Sequence, residues 1–265
     1  MIVQLHQLTA ALYLIAALVA SLGIALPAPR LGRLSLTLLG VASLAHAACF
    51  GLLHSGNATP ALTELTMAVS FMALVGTVFY LVLAWHTRLV GLVVLVAPLA
   101  FISVFAAGIH LRVVRPAVEK TAGGSWEHAH VLLASAGLAL LGLAGIAGLF
   151  FLVEHRRLKS KQPIRPRFRL PSIEALDRVN KAALAVGFPL LTLGVITGVF
   201  WTEAQTGRVF SGTPHEVWSV IAWAIYAVVV IARFATHQGA RQAAASAVGG
   251  FVFLFFAVIG LEFFL

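Results

Sequence analysis

Histidine is the residue whose placement in this chain suggests chemistry. There are ten in 265 residues, against nine Asp and Glu together. Six of them, His6, His54, His110, His128, His130 and His215, fall at the ends of apolar stretches on one side of the chain's alternating pattern. His86, His155 and His237 fall at the other side, and His46 lies inside a stretch. Neutral imidazole is the commonest protein ligand for transition metals, and an ionisable side chain inside an apolar span needs a reason. Many interfacial imidazoles with few carboxylates point to metal or haem handling. Other chemistries find less support. Cys49 is the single cysteine, so neither an internal disulfide nor a CxxC pair can form; it reads as a small apolar filler. There is no HExxH motif, and no pair of carboxylates stands at hydrolytic spacing with a histidine.

The elements that carry these histidines are apolar runs. Hydrophobic residues make up 60% of the chain and charged ones 10%, far from a soluble domain. Eight runs approach the roughly 20 residues that cross a bilayer: about 5–26, 34–55, 61–85, 89–110, 128–153, 178–202, 216–236 and 242–264. They are long and unalternated, so helices are expected and not a barrel. The expected fold is all-α, a polytopic bundle of eight transmembrane helices forming one domain over 1–265. The first run continues into Pro27-Ala28-Pro29-Arg30 without a cleavage motif and is expected to be retained.

Charge sets the orientation. Of eighteen Lys and Arg, only Arg112, Arg115, Lys120 and Arg208 lie outside the loops at 27–33, 86–88, 154–181 and 233–241. By the positive-inside rule those four loops face the cytoplasm and both termini point outward, in what reads as a bacterial inner membrane. The net charge of +9 is then a topology signal. A nucleic-acid partner is not expected, because no folded basic domain is present. The basic run from Arg156 to Arg169 is expected to lie against anionic lipid. The outward loops at 111–127 and 203–215 bring Gly123-Gly124, Trp126, Gly207 and Gly212 beside histidines, which suggests shallow pockets at the membrane surface. Trp126, Trp201 and Trp218 also suit plain interfacial anchors. Gly194 and Gly198 read as a close-packing face.

One string carries a resemblance. It runs Leu170-Pro-Ser-Ile-Glu-Ala-Leu-Asp177-Arg-Val-Asn180, then Gly187-Phe-Pro-Leu-Leu-Thr-Leu-Gly194-Val-Ile-Thr-Gly198-Val-Phe-Trp201, then Pro214-His-Glu216-Val-Trp218 through Trp223 to Tyr226. It resembles the cytochrome c assembly family of CcsA, CcmC and HemX-type membrane proteins. Upstream, Trp126-Glu-His-Ala-His130-Val and the region from Ala45-His46 to Pro60 and Glu64 look like further family segments. The resemblance covers about 40–226, within a family core expected at about 40–264. It implies a haem-handling pocket at the outer face, under an aromatic loop with flanking histidine ligands. His130 takes the place of the outer histidine and His46 that of a histidine within a span. His54, His110 and His215 are the further outward imidazoles that could complete the iron's ligands. Trp126, Trp201 and Trp218 would line the pocket, and haem b is the implied cofactor.

The chain departs from the family pattern in its outer loop. Phe210, Gly212 and Thr213 stand at aromatic and acidic positions, His215 replaces a lysine, and Ala232 stands where a histidine is expected. The departures favour a HemX-like relative with haem contact kept and attachment dependent on a partner. The expected function is haem delivery or cytochrome c biogenesis, with a maturation partner. Two other readings stay open: a regulator acting on glutamyl-tRNA reductase through the 154–177 loop, and a membrane cytochrome b. A homodimer is compatible with each.

Overall fold

The computed structural model describes residues 2–26, 28–55, 65–87, 90–113, 125–160, 172–236 and 239–264. Pro60, Glu64, Arg115, Lys120, Gly123-Gly124, most of the basic loop (161–171) and His237 lie outside the described residues, as do the side chains of His54, His86 and Glu262. Among the described residues there are helices and turns and no strand. The helices are α1 (Ile2–Ala25), α2 (Pro29–Ser55), α3 (Leu65–Thr87), α4 (Val93–Val113), α5 (Ser125–Lys159), α6 (Ile173–Thr206), α7 (Pro214–Ala235) and α8 (Ala240–Phe264). The first seven are long and apolar enough to cross a membrane, and α8 is apolar over Ala240–Phe256. Large apolar side chains such as Leu44, Val228 and Ile231 are exposed. On helices of this length lipid is the medium that covers them, since each helix satisfies its own backbone. The fold is the expected multi-pass helical membrane bundle.

The helices group into two units. The first comprises Met1–Lys120 with Pro163–Pro171 and holds α1–α4; the second comprises Thr121–Gln162 with Ser172–Leu265 and holds α5–α8. In the first, α1 packs along α2 and α4, and α3 packs along α4 and α2. In the second, α5 packs along α6 and α8, and α7 packs along α8 and α6. One packing scheme serves both.

Two helices outrun their apolar stretches. The hydrophobic pattern predicts 128–153 and 178–202, whereas α5 has 35 residues and α6 has 34. Capping explains α6. Ser172 accepts the backbone N–H of Ala175 at 3.2 Å, Glu174 lies in the first turn, and Gly207 closes the far end at φ 69°, the left-handed position where glycine is least strained. Helix α5 ends on Arg156, Arg157 and Lys159, which suit the negative end of the helix dipole. The α6–α7 connection is therefore only Gly207 to Thr213, shorter than the expected 203–215. Where α5 meets α6, glycine sets the distance: a Cβ on Gly194 would stand 2.8 Å from the Ala134 backbone. Gly194 thus belongs to close packing, as its spacing from Gly198 suggests.

Candidate functional site

The site is built where α5, α6 and α7 come together in the second unit. His130 is one and a half turns into α5 and lies over the bare face of α6. A Cβ on Gly198 would stand 2.7 Å from His130 Nδ1, so the ring needs glycine beneath it. One turn earlier on α6, the carbonyl oxygen of Gly194 accepts a hydrogen bond from His130 Nδ1 at 2.7 Å. A carbonyl can only accept, so Nδ1 carries the proton. In the neutral ring Nε2 then keeps its lone pair. A backbone carbonyl on one ring nitrogen is the usual arrangement that orients an imidazole whose other nitrogen binds a metal.

Aromatic rings surround this imidazole. Trp201, one turn after Gly198, stacks on it with centroids 5.7 Å apart at 28°. The Trp201 Nε1–H is buried without a partner among the described residues. Trp126, one turn before His130 on α5, packs on Phe200 at 4.9 Å. From α7, the His215 ring stands 6.3 Å from that of His130, nearly perpendicular at 77°.

The loop that delivers His215 is held by one carboxylate. Glu216 accepts the Thr202 hydroxyl at 3.0 Å, the Ser211 hydroxyl at 2.7 Å, and the backbone N–H groups of Ser211 at 2.9 Å and Gly212 at 2.8 Å. Thr213 caps α7 by accepting the Glu216 N–H, and Pro214 follows at the first helical position. Cap and carboxylate stand at the Thr-x-x-Glu spacing of a capping box, although the carboxylate closes on the two residues before the cap.

Of the residues singled out from sequence, His130, Trp201 and His215 are brought together, with Trp126 at their flank. Trp218 lies elsewhere on α7, against Phe253 of α8 at 5.8 Å. His46 and His110 belong to the first unit. His110 is half-buried near the end of α4. His46 is fully buried and both its ring nitrogens are engaged, Nδ1 with Tyr13 Oη at 3.2 Å and Nε2 with Ser70 Oγ at 3.0 Å. Sequence reasoning passed over Glu216 as a loop clamp; the Thr213-x-x-Glu216 spacing was the available signal. It also passed over Tyr13 and Ser70.

Among the described residues no group of three or more His, Cys, Asp or Glu side chains is gathered to hold a bare metal ion. One or two imidazoles beside a stacked indole instead fit an iron that already has porphyrin nitrogens. The comparisons with known proteins bear on this. Residues 62–265 match the model of the family described as Cytochrome C assembly protein, more than half of the chain. The chain belongs to that family. Its cytochrome c assembly match takes in all the residues of the α5–α7 cluster. The chain is similar to the cytochrome c biogenesis protein CcsA of Nostoc punctiforme, 33% identical over 109 residues, 41% of this chain and 31% of the relative. It is also similar to CcsA of Synechocystis sp., 30% identical over 47% of this chain and 37% of the relative. With CcsA of Gloeobacter violaceus it is 36% identical over 34% of this chain and 27% of the relative. In each case the matched stretch spans about a third of the relative's length.

Proposed function

We propose that this protein binds haem b where α5, α6 and α7 meet, and that it acts in haem delivery for cytochrome c biogenesis in a bacterial cytoplasmic membrane, both termini facing outward. The observation that carries the reading is the His130 Nδ1–H bond to the Gly194 carbonyl, at 2.7 Å. It leaves Nε2 as a fixed lone pair beside an indole plate. Membership of the cytochrome c assembly family gives the same direction.

Haem supplies an apolar plate, two anionic propionates and an iron that accepts imidazole. The chain's residues divide the rest. His130 offers the lone pair. Trp201 covers the imidazole and keeps an N–H that is unpaired among the described residues, suited to an anionic oxygen. His215 is the nearest second imidazole. Glu216 holds the loop so that His215 stays at that distance. The loop offers Val209 and Phe210 as exposed apolar residues and no tryptophan, so covalent attachment of haem to an apocytochrome is assigned to a partner.

Pyridine haemochrome analysis of detergent-purified protein tests the reading. Removable, non-covalent haem b is expected, with loss of occupancy or a change from low to high spin in His130→Ala. A colourless protein that also takes up no added haemin refutes it.

A further inference from the structure

The carbonyl oxygen that orients His130 has more than one claimant. Gly194 lies inside α6 (Ile173–Thr206), where a carbonyl accepts the backbone N–H four residues on. It also accepts His130 Nδ1–H from α5 at 2.7 Å. A third donor comes from α6 itself. The Thr197 hydroxyl stands 3.0 Å from the Gly194 oxygen and 2.9 Å from that of Leu193. A carbonyl oxygen has two lone pairs, and the hydroxyl has one proton to divide between its two acceptors.

A Ser or Thr hydroxyl commonly bonds back to the carbonyl three or four residues earlier in a helix. Ser21, Ser103 and Thr192 do so with Ala17, Leu99 and Phe188. Thr197 is set apart by what it touches. One of its two acceptors is the oxygen on which an imidazole of another helix depends. It is half-buried and stands one residue before Gly198, over which that ring lies.

Donors on one oxygen compete. Each draws electron density from the carbonyl and leaves less for the others. A His130 proton shared strongly with Gly194 makes the ring more anionic in character and its Nε2 a stronger electron donor. A proton shared weakly does the reverse. In this way a partner behind a ligand raises or lowers the ligand's basicity. The 2.7 Å bond gives the imidazole the larger claim. Leu193 gives the hydroxyl a second acceptor, so its hold on Gly194 can vary without leaving a donor unpaired.

We propose that Thr197 is a positioning residue for His130 that acts through the Gly194 carbonyl: its hydroxyl shares that oxygen and so limits the electron density that Nε2 can offer. The effect on the ring stands on the hydrogen bonds alone. The effect on an iron rests on the haem reading. A weaker donor at Nε2 favours the reduced ion, so Thr197 holds the reduction potential up, through the hydrogen bonding behind the ligand.

The full chain tests this as wild type, as Thr197→Val, which keeps the shape and removes the hydroxyl, and as Thr197→Ser, which keeps the hydroxyl. In haem-free protein carrying isotope-labelled histidine, in lipid, the His130 Nδ1–H proton resonance is identified by its loss in His130→Ala. Thr197→Val should move it downfield, as the bond to Gly194 strengthens, and Thr197→Ser should leave it near the wild-type position. In haem-loaded protein, spectroelectrochemical titration should give Thr197→Val a lower midpoint potential at unchanged haem content, and Thr197→Ser the wild-type midpoint. A Thr197→Val resonance at the wild-type position overturns the proposal. So does a wild-type midpoint in haem-loaded Thr197→Val, or a Thr197→Ser that matches Thr197→Val in either measurement. A protein that takes up no haem refutes the haem reading instead, and the resonance still decides the role of Thr197.

Discussion

Thr202 and Glu216 close the turn between α6 and α7: the Thr202 hydroxyl donates to the Glu216 carboxylate at 3.0 Å across fourteen residues of chain. With the Ser211 and Gly212 amides on its other oxygen, that carboxylate is an acceptor-only hub. Glu216→Leu keeps the bulk and removes both acceptor oxygens, so the Ser211 and Gly212 amides lose their partner. Amide hydrogen exchange at Ser211 and Gly212 should then accelerate while α6 and α7 keep their protection. Unchanged exchange at both amides would show that the loop is held by its caps alone.

The glycine under His130 makes a sharper test. In Gly198→Ala the new methyl must displace the ring from 2.7 Å, and the bond to Gly194 goes with it. Overpacking of this kind costs about 1–3 kcal/mol. Haem content should drop well below wild type, with a thermal midpoint lowered by only a few degrees. Full haem content in Gly198→Ala would separate haem binding from this ring position.

His215 is expected to act on the iron's coordination more than on retention. His215→Ala should keep haem and shift its spectrum toward high spin, because loss of one imidazole opens a coordination position. A spectrum identical to wild type would remove His215 from the site.

Stability in the second unit also depends on a pair outside the cluster around His130. Arg233 donates to Asp177 at 2.7 Å, with side-chain exposures of 7% and 29%. Removing the carboxylate in Asp177→Leu leaves a buried guanidinium uncompensated, at a cost on the order of 3 kcal/mol. Asp177→Leu with Arg233→Met should recover most of that loss in thermal unfolding. A single variant as stable as wild type would mean that Arg233 finds water or another acceptor.

Orientation is tested with reporter fusions. The loops rich in Lys and Arg predict that fusions after Leu265 and near Lys161 report opposite compartments. Reports from the same compartment would remove the eight-span topology.

Much of this architecture was legible in the residues. The apolar runs and the Lys and Arg bias are one-dimensional signals, and the string from Leu170 to Tyr226 carries the family. Helix ends were less so, because Ser172 and Gly207 extend α6 by capping and not by hydrophobicity. The pairing of His130 with Gly194 depends on the register between α5 and α6, which no local pattern encodes. Tyr13 and Ser70 were invisible for a related reason. Each is ordinary in a membrane helix, and only the crossing of α1, α2 and α3 puts them on either side of His46. Trp218 was grouped with Trp201 by type, but its position on α7 turns it toward Phe253.

Helix α5 works as a ruler. Its 35 residues measure about 52 Å at 1.5 Å per residue, and His130 stands about 40 Å from Arg157 along it. A bilayer with its head groups is about 40–45 Å thick. Once Arg156, Arg157 and Lys159 settle among lipid phosphates at one surface, the imidazole is carried to the head-group layer of the opposite one. There a flat apolar ligand can stay in the acyl region while its carboxylates meet water. Shortening α5 by one turn between these points would bring the basic end and the imidazole about 5 Å closer, so that either the ring sinks into hydrocarbon and leaves Gly194 and Gly198 or the basic end is pulled from the phosphates.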